Sequence, residues 1–546
     1  MNQRVRELLE IWSAPDASAA GLLCDRHDLA RPAYRIIHGD LSAEELTYGD
    51  LRLESERFAA ALKGLGIGPG DRVATLMGKS RAYLVTLMGI WRLGAVHVPL
   101  FTAFAPPAIT FRLTGSGARA VACDAGQQAK LAPGEHMPAD APWQVITLGE
   151  AAGSALSFAA LMAGAEPGLP AAALGGDAPL IHIYTSGTTG NPKGVVVPLR
   201  ARASFQAYAE FGLGIDAVND VFWCAADPGW AYGLYFGVLA TFTTGVRSIL
   251  FEGGFTPEST MAVLAQEVVT NFAAAPTVYR ALRTSGLTPG AGLALQRASS
   301  AGEPLTPDVN LWAQQALGLA VHDHYGQTEA GMLINNHHHT ALAAPIREGS
   351  MGRAMPGWTA VILHEELDEE LGPGETGRVA MAIPESPLAW FTGYDGDPAK
   401  SAEKFVGEGR WYVTGDTGRM DEHGYFHFSA RDDDVIIMAG YRIGPFEVES
   451  VLATHPAVAE SAVIAVPDEV RGEVIEAFVV PRDGYAAGEA LEQDLQQWVK
   501  RNFAAHAYPR RVHFTEAMPK TPSGKIQRFM LKQRRLEEIA QQESKI

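Results

Sequence analysis

Apolar positions recur with two different periodicities along this chain. In Leu51–Leu65 (LRLESERFAAALKGL) they return every three to four residues, the pattern of a helix with one buried face. The turn Gly66-Ile67-Gly68-Pro69-Gly70-Asp71 then leads into Arg72-Val73-Ala74-Thr75-Leu76, a short apolar run that predicts a strand. A second passage of the same kind runs as a helix from Arg81 through Leu93 into a strand at Ala95-Val96-His97-Val98-Pro99-Leu100. Such alternation predicts an α/β architecture. Residues Pro133 to Asp177, rich in Ala, Gly and Pro, predict irregular connections. The pattern changes near Arg431, where a charged turn precedes a glycine loop (Gly440 to Pro445), a helix beginning near Phe446, and strands around Ser461–Val466 and Ala477–Val480. A boundary at Arg431–Asp433 therefore divides a large unit, residues 1–431, from a small α+β unit, residues 432–546, both followed without internal repeat. The closing KQRRLEEIAQQESKI predicts a solvated helical tail.

Composition narrows the function. The 546 residues carry 44 Lys+Arg against 62 Asp+Glu, and 44 − 62 gives a net charge of −18. Whole-molecule repulsion of that sign opposes general binding to nucleic acid or to an anionic membrane, so a polyanionic ligand must be met by a few local cations. At 47% hydrophobic and 19% charged the chain has the make-up of a globular protein with a sizeable core. The longest apolar run, Leu234 to Val246, is about 13 residues against the ~20 that span a bilayer. The start, MNQRVRELLEIWSAPDAS, scatters charges through its apolar positions and predicts no targeting signal. Cys24, Cys123 and Cys224 lie far apart with no CxxC pair, which excludes a disulfide framework or a structural zinc and predicts a reducing, cytoplasmic setting.

The segment richest in chemistry is Ile181-His182-Ile183-Tyr184 followed by Thr185-Ser186-Gly187-Thr188-Thr189-Gly190-Asn191-Pro192-Lys193-Gly194. A strand enters a loop whose glycines let backbone N–H groups converge on an anion, whose hydroxyls add donors, and whose Lys193 adds a point charge. These are the means of holding phosphate oxygens, although the order differs from GxxxxGK[ST].

With this loop the chain resembles the acyl-adenylate-forming superfamily of acyl-CoA synthetases, peptide-synthetase adenylation domains and firefly luciferase. Six further segments resemble that family's motifs in the family's order: Ser300-Ala301-Gly302-Glu303-Pro304, Tyr325-Gly326-Gln327-Thr328-Glu329, Trp411-Tyr412-Val413-Thr414-Gly415-Asp416, Arg431-Asp432-Asp433-Asp434, Gly440-Tyr441-Arg442-Ile443-Gly444-Pro445 and Pro519-Lys520-Thr521-Pro522-Ser523-Gly524-Lys525. Gly440 to Glu449 is most similar to the acetyl-CoA and medium-chain acyl-CoA synthetase branch. The resemblance implies a large α/β domain with mixed sheets that binds ATP and the acid, and a small mobile α+β domain carrying a catalytic lysine and the CoA loop. It implies an ATP-dependent acid:CoA ligase working through acyl-AMP, with ATP, Mg2+ and coenzyme A, on a short-to-medium, branched or unbranched acid. A carrier-loading adenylation enzyme and a silent nucleotide-binding scaffold remain as alternatives, and a homo-oligomer is left open.

The same resemblance assigns residues. Thr185 to Gly190 with Lys193 would meet phosphate; Gly302, Glu303, Pro304 and Tyr325 would meet the base; Asp416 and Arg431 would meet the ribose; Asp323, Gln327, Thr328 and Arg442 would complete the ATP site. Glu329, a hard carboxylate, would hold Mg2+ beside the Thr328 hydroxyl. Catalytic roles fall to Lys525, Thr328 and Trp230, with Lys525 neutralising charge as the carboxylate attacks phosphorus. Trp230, Ala231, Tyr232, Ala301 and Gly326 would line the acyl pocket; Gly326, where acetate-specialised relatives carry tryptophan, would leave room for acids larger than acetate. Gly440, Tyr441 and Lys500 (with Arg501 near it) would meet CoA, and Asp433 would be the hinge. Ile437-Met438-Ala439 departs from the Asn and Ser that many relatives carry there. His337-His338-His339 predicts divergent side chains, not a metal site, and Glu365 to Glu370 predicts a solvated turn.

Overall fold

The computed structural model describes residues 1–185, 192–287, 292–431, 434–438, 441–468, 472–504, 507–521 and 525–543. The helix expected over 51–65 begins earlier and spans Tyr48–Gly64. A capping box sets the start: the Thr47 hydroxyl accepts from Asp50 N–H at 3.0 Å, and the Asp50 carboxylate accepts from Thr47 N–H. The next helix, Arg81–Leu93, is capped by Ser80 and stopped by Gly94 at φ 77°. Between and after them run the strands Arg72–Leu76 and Val96–Pro99, paired in parallel.

An eight-stranded sheet contains these two strands together with Pro179–Tyr184 and Gly194–Pro198. The stretch 133–177 is more ordered than its composition predicts. Its Gln144–Thr147 strand pairs in parallel with Ala120–Cys123, and Ser157 caps a helix over Phe158–Gly164. Pairing with a distant strand has overridden a weak local signal. A fourteen-stranded sheet holds the parallel strands Asn271–Ala274, Arg297–Ala301 and Val321–Gln327, then turns antiparallel at Gly331–Asn335. One core joins the two sheets, with Phe58, Leu84 and Met88 from the early helices and Phe205, Tyr208 and Phe236 from the later ones.

A third sheet of five strands, including Val458–Asp468 and Gly472–Pro481, lies in the C-terminal part and has a separate core built on Ile436, Val448, Ile475 and Leu495. The helix Pro445–Ala453 meets the large sheet's strand Phe426–Arg431, with the rings of Phe428 and Phe446 5.9 Å apart. The tail is helical over Arg528–Glu543, anchored by Arg528 to the buried Glu449 at 2.8 Å. The acidic run is a turn, where His364 N–H donates to Glu369 C=O and Asp368 pairs with Arg378. Among the described residues no helix is long and apolar enough to cross a membrane.

Candidate active site

The strand Val321–Gln327 is the spine of the site. Successive side chains of a strand point to opposite faces, so Asp323, Tyr325 and Gln327 share one. Tyr325 O–H donates to Asp416 Oδ2 at 2.5 Å, and Gln327 Nε2 donates to the same oxygen at 2.9 Å. Gln327 also donates to Thr414 C=O and accepts from Tyr412 O–H at 2.8 Å. Asp416 is only 6% exposed. Burial raises its pKa against the opposing pull of Arg431, which faces it in the strand register, and of Tyr325. Burial pushes the Asp323 carboxyl up to about 8, against hydrogen bonds from the backbone N–H of Leu305 and His324.

Beyond this cluster, Tyr394 O–H donates to Glu329 Oε1 at 2.7 Å, and Lys193 Nζ stands 5.1 Å from the Tyr394 ring centroid. Thr328 is held by its carbonyl, which accepts from Tyr235 O–H at 3.2 Å. Thr185 and Lys193 close the mouth of the glycine loop: Thr185 N–H donates to Lys193 C=O at 2.9 Å, and Lys193 N–H donates back to the Thr185 hydroxyl. Lys525 reaches this region from the C-terminal part. A Cβ placed on Gly302, whose φ is 101°, would stand 3.9 Å from Lys525 Cε. The surrounding protein lowers the Lys525 pKa; Glu303 and Asp416 oppose that shift and Arg431 adds to it. Glu303 itself pairs with Arg280 at 2.8 Å.

On the acid side, Trp230 lies against Phe101 and Phe104, with centroids 5.2 and 5.7 Å away. Its indole N–H is buried and has no hydrogen-bond partner among the described residues. Asp227 fixes the turn before it by accepting from Gly229 N–H at 2.7 Å. Tyr232 O–H lies 3.0 Å from Tyr208 O–H. Ala301 is buried and Ala231 half-buried.

Gly326 departs from the expectation of free space. A Cβ there would stand 2.2 Å from Gly331 C=O and 2.7 Å from both Met332 Cα and Met332 Sδ. The glycine is demanded by a shift of register between Tyr325 and Gly326 in the hairpin, and Met332 already fills the direction a side chain would take.

Ser186, Gly187, Thr188, Thr189, Gly190, Asp433 and Gly440 lie outside the described residues, as do the side chains of Tyr441 and Arg442. Lys500 stands 3.9 Å over the Tyr508 ring, which also meets Arg510 at 3.7 Å. His337, His338 and His339 diverge as expected, toward Ala354 C=O, Ser299 and the Phe211 ring respectively. His338 does meet His322 and His324, all within 4.8 Å. His322 and His338 are stacked at 3.6 Å and 13°, and the in-plane lone pairs of parallel rings cannot converge on one ion.

Lys404 carries no sequence signal. Its Nζ donates to Thr414 C=O at 2.8 Å and reaches Val413 C=O at 3.4 Å, in the strand Trp411–Met420 that carries Asp416. Tyr394 likewise stands in an unremarkable Gly-Tyr-Asp-Gly and acquires its place through pairing of Tyr394–Asp395 with Gly194–Val195.

The buried Asp416 cluster, with Lys525 of the C-terminal part nearby, is set on mixed sheets. Residues 24–394 match the AMP-binding enzyme family and residues 447–525 match the AMP-binding enzyme C-terminal domain. The acetyl-coenzyme A synthetase of Bacillus subtilis (strain 168) is 36% identical over 505 residues, covering 90% of this chain and 85% of that protein. A mitochondrial acyl-coenzyme A synthetase of Mus musculus is 33% identical over 524 residues, covering 93% and 87%. Among solved structures, the Brucella canis acyl-CoA synthetase is 41% identical with a TM-score of 0.75 over 98% of this chain and 97% of that one. The anthranilate CoA ligase AuaEII in complex with anthranoyl-AMP is 27% identical with a TM-score of 0.87 over 96% and 98%. The chain belongs to the AMP-binding enzyme family. It is an acyl-CoA synthetase, an AMP-forming ligase that joins an acid to CoA through an adenylate and uses ATP.

Proposed function

We propose that the acid is short-to-medium in length or compact and branched, larger than acetate, and that Mg2+ accompanies ATP. The acid's carboxylate attacks the α-phosphorus, pyrophosphate leaves, and acyl-AMP stays bound. The CoA thiol then loses its proton and attacks the acyl carbon, and AMP leaves. Asp416, held by Tyr325 and Gln327, takes the ribose hydroxyls; Asp323 takes the base; Lys193 and the loop before it take the phosphates. Glu329, 9% exposed and oriented by Tyr394, suits a hard cation, which when bound would neutralise phosphate charge. Lys525 supplies positive charge where it develops on phosphorus.

The observation that carries this reading is Lys525 beside Gly302 and Glu303, above the Asp416 cluster. The acid class rests on the small side chains of Ala231 and Ala301 beside the rings of Tyr232 and Trp230, the last packed against Phe101 and Phe104. The unpaired Trp230 N–H suits a carboxylate oxygen. For the second step, a rotation about Asp432–Asp433 would withdraw Lys525 and bring in Gly440 and Tyr441, with Lys500 toward the CoA phosphates. That pivot accords with the separate core of the C-terminal part, and it makes residues 1–431 and 432–546 the two working units. The three free cysteines accord with a cytoplasmic workplace. The test is acid-dependent pyrophosphate release and CoA-dependent AMP release across straight, branched and aromatic acids of two to twelve carbons. A higher kcat/KM on butyrate or larger acids than on acetate is expected; preference for acetate would contradict the acid class.

A further inference from the structure

Tyr232 is the outer end of a buried chain of hydrogen bonds whose direction can be worked out. At the inner end, His324 Nε2 lies 3.0 Å from Asn336 C=O. A carbonyl oxygen only accepts, so Nε2 carries a proton. His324 is 2% exposed, has His322 and His338 as neighbours, and is pushed well below the ordinary histidine pKa chiefly by burial, so the ring is neutral. A neutral imidazole protonated at Nε2 has a bare Nδ1, which can only accept. Tyr208 O–H lies 2.7 Å from that nitrogen and must donate to it. Having given its one proton inward, the Tyr208 oxygen can only accept from Tyr232, 3.0 Å away. The Tyr232 proton is therefore committed to Tyr208. Tyr208 and His324 are buried whereas Tyr232 is half-buried, and with its proton given to Tyr208 the Tyr232 oxygen has lone pairs alone to offer a further partner.

We infer that Tyr232, polarised by Tyr208 and His324, makes the far wall of the acyl pocket a hydrogen-bond acceptor, selecting acids that carry an O–H or N–H donor at the end remote from the carboxylate over acids carrying only an acceptor there. This rests on the assignment of Ala231 and Tyr232 to the acyl pocket. An acceptor-only group, such as a ketone, would either face the Tyr232 lone pairs or pull its proton away and leave the Tyr208 oxygen unpaired, and a site built around a donor rejects the analogue lacking it.

The experiment measures kcat/KM for CoA-ester formation on matched pairs: 4-hydroxypentanoate against 4-oxopentanoate, 5-hydroxyhexanoate against 5-oxohexanoate, and each hydroxybenzoate against its fluorobenzoate. Wild type should favour the hydroxyl member of at least one pair by roughly fivefold or more. Tyr208→Phe frees the Tyr232 proton and should bring that ratio to about one or below. Tyr232→Phe should also abolish the preference while changing the rates on unsubstituted acids of the same length, and it decides the matter should Tyr208→Phe not fold. Ratios near or below one for every pair in wild type, or a preference that survives in both variants, would overturn the inference. Tyr232→Phe leaving every acid's rate unchanged would instead remove Tyr232 from the pocket, and with it the reading on which the inference rests.

Discussion

Lys404 is a half-buried ammonium whose hydrogen bonds go to carbonyls of the strand Trp411–Met420, which carries Asp416. Burial lowers its pKa, with Glu329 and Asp416 holding it up and Lys193 and Arg431 pressing it down. On the proposed role of Asp416 at the ribose, Lys404 positions that strand, so Lys404→Met should raise KM for ATP on the order of tenfold with kcat nearly kept, a charged hydrogen bond being worth about 1.5–3 kcal/mol. Lys404→Arg should recover most of the loss, and steady-state kinetics with ATP varied would show both. Asp323 gives a pH signature. With its carboxyl at about 8 in the folded chain and the ordinary value near 3.9 in the unfolded one, the folded state binds more protons between those values. The Asp323 contribution to stability therefore falls as pH rises from about 4 to 8. Melting curves of Asp323→Asn against wild type should show the variant gaining relative stability across that window. Asp416, Glu329 and Lys525 stand in motifs that resemblance made readable, and the structure brings Lys525 near Asp416, while Lys404 faces both Asp416 and Glu329. Lys404 and Tyr394 were not readable, because their neighbours in space, Thr414 and Glu329, lie 10 and 65 residues away with no local pattern linking them.

The hairpin Val321–Gln327 to Gly331–Asn335 shows how an element limits what a residue can become. Gly326 faces backbone, so Gly326→Trp should be destabilising by about 1–3 kcal/mol and should depress activity on acetate along with the larger acids. A drop in melting temperature with uniform loss across acids would bear this out; a retained acetate rate would put the ring in the pocket after all. A cleaner probe of acid size is Ala231→Leu, half-buried beside Tyr232, which should cut kcat/KM on six-carbon and larger acids roughly tenfold and leave acetate within about twofold. The helices Tyr48–Gly64 and Arg81–Leu93 and the strand Arg72–Leu76 were legible, since period, cap and turn agree at each. The Gln144–Thr147 strand was not, because four residues beside an Ala- and Pro-rich stretch carry no period and only the edge at Ala120–Cys123 makes them a strand. Nor does the sequence reveal that Met332 occupies the direction of a Gly326 side chain, which depends on a register shift.

At the scale of the whole molecule, the proposed cycle has two separately cored units exchanging faces. Asp433→Pro, by fixing φ near −65°, should hold one arrangement, so that one half-reaction survives and the other fails; two ordinary rates would remove Asp433 as the hinge. The exchange in turn requires Lys525 to serve one step only. It stands beside Gly302 and Glu303 in this structure, which is the arrangement proposed for the phosphate step. The most direct measurement separates the half-reactions of Lys525→Ala: pyrophosphate release from ATP and an acid such as butyrate, and thioester formation from synthetic butyryl-AMP and CoA. The first should fall by about a thousandfold, in the range of a lost charge-stabilising donor, while the second stays within about tenfold of wild type. Equal and severe loss in both would contradict the proposed cycle.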